Sequence, residues 1–261
     1  MDILAVDGDI LAYRTAAVCE DHFEGAAQAI IDSTLRDIST DTNINSMRIY
    51  VSGKDNFRYH VAKTKPYKGN RATMVRPQYL ESTKAYLIEK YGAVEVDGYE
   101  ADDAIATDMT VNNAIHCGID KDMLQIPGRH YNYVKKEWTH VTEEEALLIL
   151  YRQILMGDAS DNVPGLPRIG EKKAADAIQN SETAMLDALA FYEEICADKM
   201  PDIVPMVYFI EQSQLITMRK DVPLFCIDFN TFTNIEANTE GFKQEQGEVF
   251  EDQKTVRSLK L

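Results

Sequence analysis

The sequence contains few cysteines and no long apolar run, and each shortage excludes a class of protein. The cysteines stand far apart without a CxxC pair, so we expect reduced, mostly buried thiols and no disulfide framework. No run of about 18 apolar residues is present, so a membrane span is not expected. No basic or apolar leader precedes Asp7, which predicts a cytoplasmic location, in the host cell if the chain is viral. The cysteines are Cys19, Cys117, Cys196 and Cys226.

Positive charge is also scarce, with 27 Lys and Arg against 43 Asp and Glu and a net charge of −16. Net charge governs long-range repulsion, whereas binding depends on where the charges lie. The sequence has two basic islands, residues 48–76 and residues 168–173, and the first contains a single acid, Asp55. An anionic partner is therefore not excluded. The islands contain Arg48, Lys54, Arg58, Lys63, Lys65, Lys68, Arg71 and Arg76, then Arg168, Lys172 and Lys173.

Hydrophobic spacing predicts alternating strands and helices in the first half of the chain. This alternation indicates an α/β fold with a central, mostly parallel sheet flanked by helices. From Thr142, which forms a capping box with Glu145, the pattern becomes helical. The predicted strands are 3–6, 47–51, 93–96 and 114–118, and the predicted helices begin near 10, 25, 77, 101, 142, 171 and 204.

Three regions follow from this pattern. Residues 1–141 are predicted to form the α/β core, in which the basic segment 54–76 is interrupted by Pro66 and Gly69 and expected to be partly ordered and mobile. Residues 142–235 form a helical region, and the polar residues 236–261 a loosely ordered tail.

Four acidic clusters lie at predicted element ends, and three of them follow an apolar run. The carboxyl ends of parallel strands border the crevice where ligands bind. Carboxylates gathered there repel one another unless a cation neutralises them, and oxygen ligands without His or Cys select Mg²⁺ or Mn²⁺. Two such ions about 4 Å apart would activate water and stabilise the leaving oxygen of a phosphodiester. The clusters are Asp7 and Asp9, Glu100 with Asp102 and Asp103, Asp120 and Asp122, and Asp158 and Asp161.

Each cluster also has a purely structural interpretation. Asp9 and Asp97 are interpreted as turn or cap residues, and residues 100–103 could be the acidic first turn of a helix. Residues 120–122 could form a surface turn, and residues 158–161 could be capping. The joint occurrence of all four clusters, in order and at element ends, favours a metal site.

Several segments, in this order, resemble the flap endonuclease or 5′-nuclease superfamily in its bacterial-polymerase and bacteriophage branch. The resemblance runs from the first residues to about Leu224. It implies a PIN-like nuclease core with a helical arch, followed by a helix–three-turn–helix duplex-binding region. The matching segments are residues 5–9, 67–71, 99–104, 118–125, 156–165, 169–174 and 215–224.

The resemblance also implies roles for individual residues. Lys68 and Arg71 resemble a catalytic basic pair at the base of the arch that contacts the scissile phosphate, where cations stabilise developing charge. Metal-site carboxylates would be Asp7, Glu100 and Asp102 for the first ion, Asp120, Asp122 and Asp161 for the second, and Asp103 and Asp158 beside them.

The segment 163–170 resembles the loop that holds duplex phosphates, with a K⁺ ion at the loop. Glycines there permit close backbone approach, and a helix N-terminus attracts anions. The DNA-binding residues implied are Lys54, Arg58, Lys63, Lys65, Gly165, Arg168, Gly170, Lys172 and Lys173.

One position departs from the family. Its members usually carry an Asp at the end of the second strand, where this chain has Ser52. Asp55 lies nearby but too far into the basic segment to replace it. The first metal site is therefore expected to be one carboxylate poorer, with Ser52 or water in its place.

The resemblance implies a 5′-3′ exonuclease and flap endonuclease that uses two Mg²⁺ or Mn²⁺ ions in replication or primer removal, for a bacteriophage. The expected partners are DNA with 5′ ends or flaps, RNA–DNA hybrids and a replication polymerase, with no membrane and a monomeric chain. One rival is a haloacid-dehalogenase-like phosphatase with Asp7 as nucleophile, since the surroundings of Asp7 and Asp158 resemble its first and last motifs. Another is a non-catalytic DNA-binding homologue, which has no use for carboxylates facing phosphates.

Overall fold

A mostly parallel sheet forms the centre of the computed structural model, which describes residues 2–224 and 233–234. The strands are β1 (Leu4–Asp7), β2 (Ser46–Ser52), β3 (Val94–Val96), β4 (Ile115–Cys117), β5 (Gly128–Asn132), β6 (Glu137–Val141) and β7 (Thr233–Asn234). Their order is β3-β2-β1-β4-β5-β6; β6 is antiparallel to β5, and β7 is antiparallel to β2. This confirms the predicted α/β architecture.

The register of the parallel strands brings their carboxyl ends to one edge of the sheet. β1 is buried along its whole length, as its apolar run predicts, and pairs with β2 from Leu4 opposite Met47 to Asp7 opposite Tyr50. On its other side β1 pairs with β4, with Val6 opposite Cys117. The residues that follow these strands therefore meet at the same edge.

Helices cover both faces of the sheet. The helices are α1 (Gly8–Val18), α2 (Glu24–Thr42), α3 (Arg58–Val61), α4 (Leu80–Tyr91), α5 (Ala101–Asn112), α6 (Glu143–Met156), α7 (Glu171–Ala177), α8 (Ala184–Lys199) and α9 (Pro205–Ile216). One apolar core joins α1, α2 and α4 to the sheet through side chains such as Leu11, Ile31 and Leu87. A second core, containing Ile105 and Met123, packs α5 against the opposite face.

The helical region has its own apolar core, which includes Ile154, Tyr192 and Tyr208. α6 begins at the predicted capping box: Glu145 N donates to Thr142 Oγ1 at 3.2 Å, and Thr142 N donates to Glu145 Oε2 at 2.9 Å. The division of the chain at residue 141 remains a prediction.

Parts of the fold differ from the sequence-based expectation. The β5–β6 hairpin was not predicted, because its residues are largely polar and β6 is exposed along most of its length. α8 was not predicted either. The basic segment contains only α3 and a 3₁₀ turn at Gly69–Arg71, so the expected helical arch amounts to little helix.

The cysteine and membrane expectations can be compared with the structure where it describes the chain. Cys19, Cys117 and Cys196 are buried free thiols, as predicted. Cys226 and the tail 236–261 lie outside the described residues. Among the helices of the described residues, none combines the length and the apolar character that a membrane crossing requires.

Candidate active site

An open crevice of about 1000 Å³ lies at the carboxyl edge of the sheet. Carboxylates from strand ends, from helix starts and from the loop after α6 line it, together with basic side chains of residues 54–76. Of the predicted metal ligands, all except Asp103 are found there. The lining carboxylates are Asp7, Asp9, Asp55, Glu81, Glu100, Asp102, Asp120, Asp122, Asp158 and Asp161.

Local structure fixes several of these carboxylates. Asp7 ends β1 and caps α1, because its Oδ1 accepts a hydrogen bond from Ile10 N at 3.0 Å. Asp120 caps the 3₁₀ turn Lys121–Gln125 by accepting from Asp122 N at 2.8 Å. Asp158 accepts from Ser160 N at 2.7 Å. The capping interpretation and the functional one therefore hold together, since a cap also fixes where a carboxylate lies.

Burial and mutual repulsion oppose ionisation in this crevice. Burial raises the pKa of Asp7, and the neighbouring Asp9 and Asp120 raise it further. The pKa of Asp102 is raised well above its usual range, first by burial and then by Asp7 and Asp120. Burial, with Asp120 and Asp158, raises the pKa of Asp122 to about 7. A site that destabilises its own negative charge favours a bound cation.

The crevice offers carboxylate oxygens as ligands, and neither an imidazole nor a thiol lines it. This set of ligands fits a hard divalent cation. The side chains do not yet converge as ligands: within residues 2–224, no three His, Cys, Asp or Glu side chains are grouped closely enough to hold a metal ion. Basic side chains partly neutralise the acids instead. For Glu100 and Asp161 to bind a cation, Lys68 and Arg71 must give up these carboxylates as partners.

Lys68, Arg71 and Tyr67 bring the basic segment into contact with the acids. The ammonium of Lys68 is ion-paired with Glu100 and lies 3.7 Å from Asp161 Oδ2. The guanidinium of Arg71 is ion-paired with Asp161. The hydroxyl of the buried Tyr67 lies 2.6 Å from Asp161 Oδ2 and 3.0 Å from Glu100 Oε2, so its one proton is shared between the two carboxylates. Sequence reasoning missed Tyr67; an aromatic residue directly before Lys68 was the available signal.

Two predicted site residues are buried in a structural pair. Arg58, predicted to bind DNA, donates to Asp103 from Nη1 at 2.6 Å and from Nη2 at 2.8 Å. Its Nε donates to the carbonyl of Leu215 at 3.0 Å. Asp103, predicted as a metal carboxylate, is fully buried and also accepts from the backbone amides of Glu100 and Arg219. The pair joins α3 to α5. Arg58 also lines the crevice, with Nη1 3.8 Å from Glu100 Oε2, whereas Asp103 does not line it, and the two predicted roles remain predictions.

Gly165 also has a structural role rather than the predicted phosphate contact. Its amide donates to Gln212 Oε1 at 3.0 Å, and its carbonyl accepts from Tyr208 Oη at 2.6 Å. A Cβ at this position, where φ is +58°, would lie 2.3 Å from Gly157 N. Glycine is therefore required by the close approach of two chain segments, and the amide has no capacity left for a phosphate.

The remaining predicted DNA-binding residues are exposed. Lys54, Lys63 and Lys65 lie on the surface of the basic segment. Exposed residues of the second basic island surround the start of α7, where Lys173 Nζ donates to the carbonyl of Arg168 at 3.3 Å. Their roles remain predictions. The members of this second group are Arg168, Gly170, Lys172 and Lys173.

α9 anchors the basic segment through one carboxylate. Glu211 Oε1 accepts from the amides of Lys63 and Thr64, both at 2.7 Å. Its Oε2 accepts from Thr64 Oγ1 at 2.6 Å. The next residue, Gln212, makes the contact to Gly165. The segment that was expected to be mobile is thus tied to the helical region.

Ser52, where the family usually carries Asp, does not present its side chain as a free ligand. Its Oγ accepts from Ala101 N at 2.9 Å, at the start of α5. Its amide donates to Asp9 Oδ2 at 3.0 Å, and its carbonyl accepts from Lys84 Nζ at 2.7 Å. Asp9 is therefore not a simple cap as predicted. Asp97 is a turn residue, accepting from Lys54 N at 2.8 Å.

Searches among known proteins identify relatives by sequence. No family model matches the chain. A 5′-3′ exonuclease of Buchnera aphidicola subsp. Schizaphis graminum is 29% identical over 198 residues, covering 66% of this chain and 68% of the relative. A DNA polymerase I of Bacillus caldotenax is 30% identical over 201 residues, covering 66% of this chain but only 22% of the polymerase. The chain thus spans about a fifth of that polymerase's length.

Structural comparison agrees with the sequence similarity. The bacteriophage T5 flap endonuclease, solved as a pseudo-enzyme–product complex with DNA and metal ions, aligns with a TM-score of 0.58 and 17% identity. The alignment covers 94% of this chain and 98% of the phage protein. At this identity the likeness establishes the fold. Together with the exonuclease and polymerase relatives, this likeness supports the 5′-nuclease superfamily as the family of the chain.

Proposed function

We propose that this chain hydrolyses phosphodiester bonds in DNA from 5′ ends, as a divalent-metal-dependent 5′-3′ exonuclease and flap endonuclease. One observation carries the proposal: Lys68, Arg71 and Tyr67 contact Glu100 and Asp161 in a crevice that further carboxylates line. This combination offers cations for a phosphate and oxygen ligands for metal ions in one place. The names of the relatives and the metal-containing T5 complex support it.

Different residues of the chain would bind the metal ions and stabilise the phosphate charge. Asp7, Glu100 and Asp102 on one side, and Asp120, Asp122, Asp158 and Asp161 on the other, would hold Mg²⁺ or Mn²⁺. When bound, the ions would activate water and stabilise the departing oxygen. Burial alone would lower the pKa of Lys68, but Glu100 and Asp161 outweigh burial and the pKa is raised. Lys68 is therefore an ammonium at neutral pH, suited to offset phosphoryl charge and unsuited to act as a base.

The wider role that we propose is primer or flap removal during replication. RNA–DNA hybrids are proposed as further substrates, a replication polymerase as partner, and the bacterial or host cytoplasm as the location, with the chain as a monomer. The exposed parts of the two basic islands support contact with a nucleic-acid backbone, which positions a duplex without reading its sequence. A K⁺ ion at the 163–170 loop belongs to the same proposal.

The rival functions receive no support from the geometry. A phosphatase that uses Asp7 as nucleophile would leave the contacts of Lys68, Arg71 and Tyr67 with Glu100 and Asp161 without a role. A purely DNA-binding protein would gain nothing from a crevice of carboxylates whose charges oppose one another and the phosphates.

A 5′-labelled substrate panel tests the proposal. Duplex, nicked, flapped and RNA–DNA substrates are incubated with Mg²⁺, beside a small phosphate ester. We expect metal-dependent release of short 5′ products and no ester hydrolysis. Hydrolysis of the ester alone, or binding of DNA without cleavage in Mg²⁺ or Mn²⁺, would contradict the proposal.

A further inference from the structure

The carboxyl end of β2 has no acidic residue of its own, and the carboxylate beside it comes from α1. β2 ends at Ser52, whose side chain is occupied as an acceptor for Ala101 N. Asp9, in the first turn of α1, reaches the same strand end, where its Oδ2 accepts from Ser52 N at 3.0 Å. β1 ends at Asp7 and β4 is followed by Asp120, and Asp9 adds a carboxylate at the end of β2.

Lys84 holds the Asp9 carboxylate from the other side. Its Nζ lies 2.8 Å from Asp9 Oδ1 and donates to the Ser52 carbonyl at 2.7 Å. Lys84 belongs to α4, which packs against α1, so the two helices bring the pair together over the strand end. An ionised carboxylate offers about four lone-pair positions. Ser52 N uses one of them on Oδ2, and Oδ1 is ion-paired with Lys84 but accepts no hydrogen bond, which leaves capacity for further donors.

Asp9 also acts electrostatically on the acids of the crevice. It lines the crevice together with Asp7 and Asp102. Asp9 follows Asp7 by two residues, in the first turn of α1, so a cation beside Asp7 also experiences the negative charge of Asp9.

We propose that Asp9 is an additional carboxylate of the metal site on the Asp7 side, held in place by Lys84. This inference rests on the proposed metal-dependent nuclease function. Both oxygens of Asp9 already have partners, so it acts by accepting hydrogen bonds from water on the cation. Mg²⁺ retains several waters when bound to proteins, and such water-mediated partners contribute to affinity.

Asp55, three residues after Ser52 and in the lining of the same crevice, provides a matched control. It is exposed and lies in the left-handed region with φ +59°, a conformation that Asn adopts readily. Asp9→Asn and Asp55→Asn each remove one negative charge from the crevice wall. Only the first removes it from the Ser52–Lys84 pair.

The test is Mn²⁺ binding, measured by electron paramagnetic resonance on the full chain with the metal alone. We expect Asp9→Asn to weaken the tighter-binding Mn²⁺ about tenfold, the lower end of the range for outer partners of metal sites. Asp55→Asn should bind as the unmodified chain does. Equal Mn²⁺ affinity in Asp9→Asn and the unmodified chain would overturn the inference, and so would equal weakening in both variants.

Moving the carboxylate gives a second measurement. Asp9→Ser removes the negative charge of Asp9. The double variant, Asp9→Ser with Ser52→Asp, restores a carboxylate at the end of β2. We expect the double variant to recover Mn²⁺ affinity to within about threefold of the unmodified chain, on the same scale of outer-partner effects. A double variant as weak as Asp9→Ser alone would overturn the inference. Ser52→Asp alone should give no gain, because it sets two carboxylates side by side.

The proposed function and this inference can fail separately. Mn²⁺ binding is measured without a substrate, so a chain that binds Mn²⁺ but cleaves no labelled substrate refutes the function and leaves the Asp9 comparison readable. A chain that cleaves normally while Asp9→Asn binds Mn²⁺ unchanged refutes the inference alone.

Discussion

Lys68 is paired with acids of the crevice, and it would have to leave them in order to contact a phosphate. Its ammonium is ion-paired with Glu100, and Tyr67 donates to that same carboxylate. Divalent cations would take over the neutralisation of Glu100 and Asp161. The basic side chains would then be available to a substrate at the moment when the metal site is filled.

This exchange predicts different effects for two lysines of the same basic segment. Lys68→Ala should slow single-turnover cleavage by about 10²-fold, similar to the loss of one oxyanion donor, with nearly unchanged DNA affinity. Lys63 has an exposed side chain, and its contact with Glu211 is made by the backbone amide. Lys63→Ala should therefore weaken binding modestly and leave the chemical step unchanged. The same kinetic pattern in both variants would show that Lys68 acts only as a binding charge.

The raised pKa of Asp122 predicts that the stabilisation of the fold by a metal ion depends on pH. Its pKa is raised to about 7 by burial, Asp120 and Asp158, so the folded chain binds the extra proton between about pH 4 and pH 7. The contribution of this group to stability is present at low pH and lost as the pH rises through 7. A divalent cation can replace the proton, so the gain in Tm with Mg²⁺ should be larger at pH 8 than at pH 5.5.

The variant Asp122→Asn tests the assignment. It should raise the metal-free Tm at pH 8, reduce the gain from Mg²⁺ and abolish cleavage. Asp198→Asn, an exposed change on α8 away from the crevice, should alter none of these values. An unchanged gain from Mg²⁺ in Asp122→Asn, measured by differential scanning calorimetry, would exclude Asp122 from the metal site.

At the scale of elements, the hydrogen bonds of Glu211 determine where the basic segment lies. They join α9 to residues 63–64, shortly before Tyr67 and Lys68. Glu211→Gln should cost about 1–3 kcal/mol of local stability, the range for weakening hydrogen bonds to a charged group. We expect faster proteolysis within residues 63–66 and lower turnover.

Glu193→Gln on α8 is the matched control, because Glu193 is exposed. Limited proteolysis with mass spectrometry of the fragments measures the effect. Identical cleavage rates in the two variants would show that Glu211 does not hold the segment in solution.

The sequence predicts the elements whose signals are local. The buried run of β1 and the capping box of α6 are both found where the pattern indicates. It also predicts the crevice carboxylates, because parallel strand ends must meet at one edge. Arg58 and Gly165 could not be assigned this way. Their partners Asp103 and Gln212 lie 45 and 47 residues away in sequence, and no local signal distinguishes a buried arginine from one that binds phosphate.

For the whole molecule, a buried histidine pair should govern part of the acid sensitivity. His116 and His130 share a hydrogen bond of 3.1 Å between their Nδ1 atoms. Burial, with His130 beside it, lowers the pKa of His116 to about 3, whereas a histidine in the unfolded chain binds its proton near pH 6.5. Between these values the unfolded chain binds more protons. Stability is therefore lost as the pH falls from about 6.5, by about 1.4 kcal/mol per pH unit.

The raised pKa values of the crevice acids act in the opposite direction, so the comparison of variants isolates the histidine. His116→Asn keeps a polar group for His130 and removes the titration, and it should flatten the pH dependence of urea unfolding below pH 6.5. His22→Asn, at an exposed position, should retain the slope of the unmodified chain. Parallel slopes for all three proteins would contradict a neutral buried His116.

α9 fixes the distance between two parts of the molecule that are proposed to contact DNA. Its adjacent residues Glu211 and Gln212 hold the basic segment and the glycine turn before the second basic island. If a duplex binds at that island and a single strand enters the crevice, the distance between the two is fixed by adjacent residues of α9. The position of the cut, counted in nucleotides from the start of the duplex, should then stay constant as the 5′ flap is lengthened. An insertion in the loop before α9 should leave the position of the cut unchanged. A substitution at Gln212 should make the cuts fall at several positions.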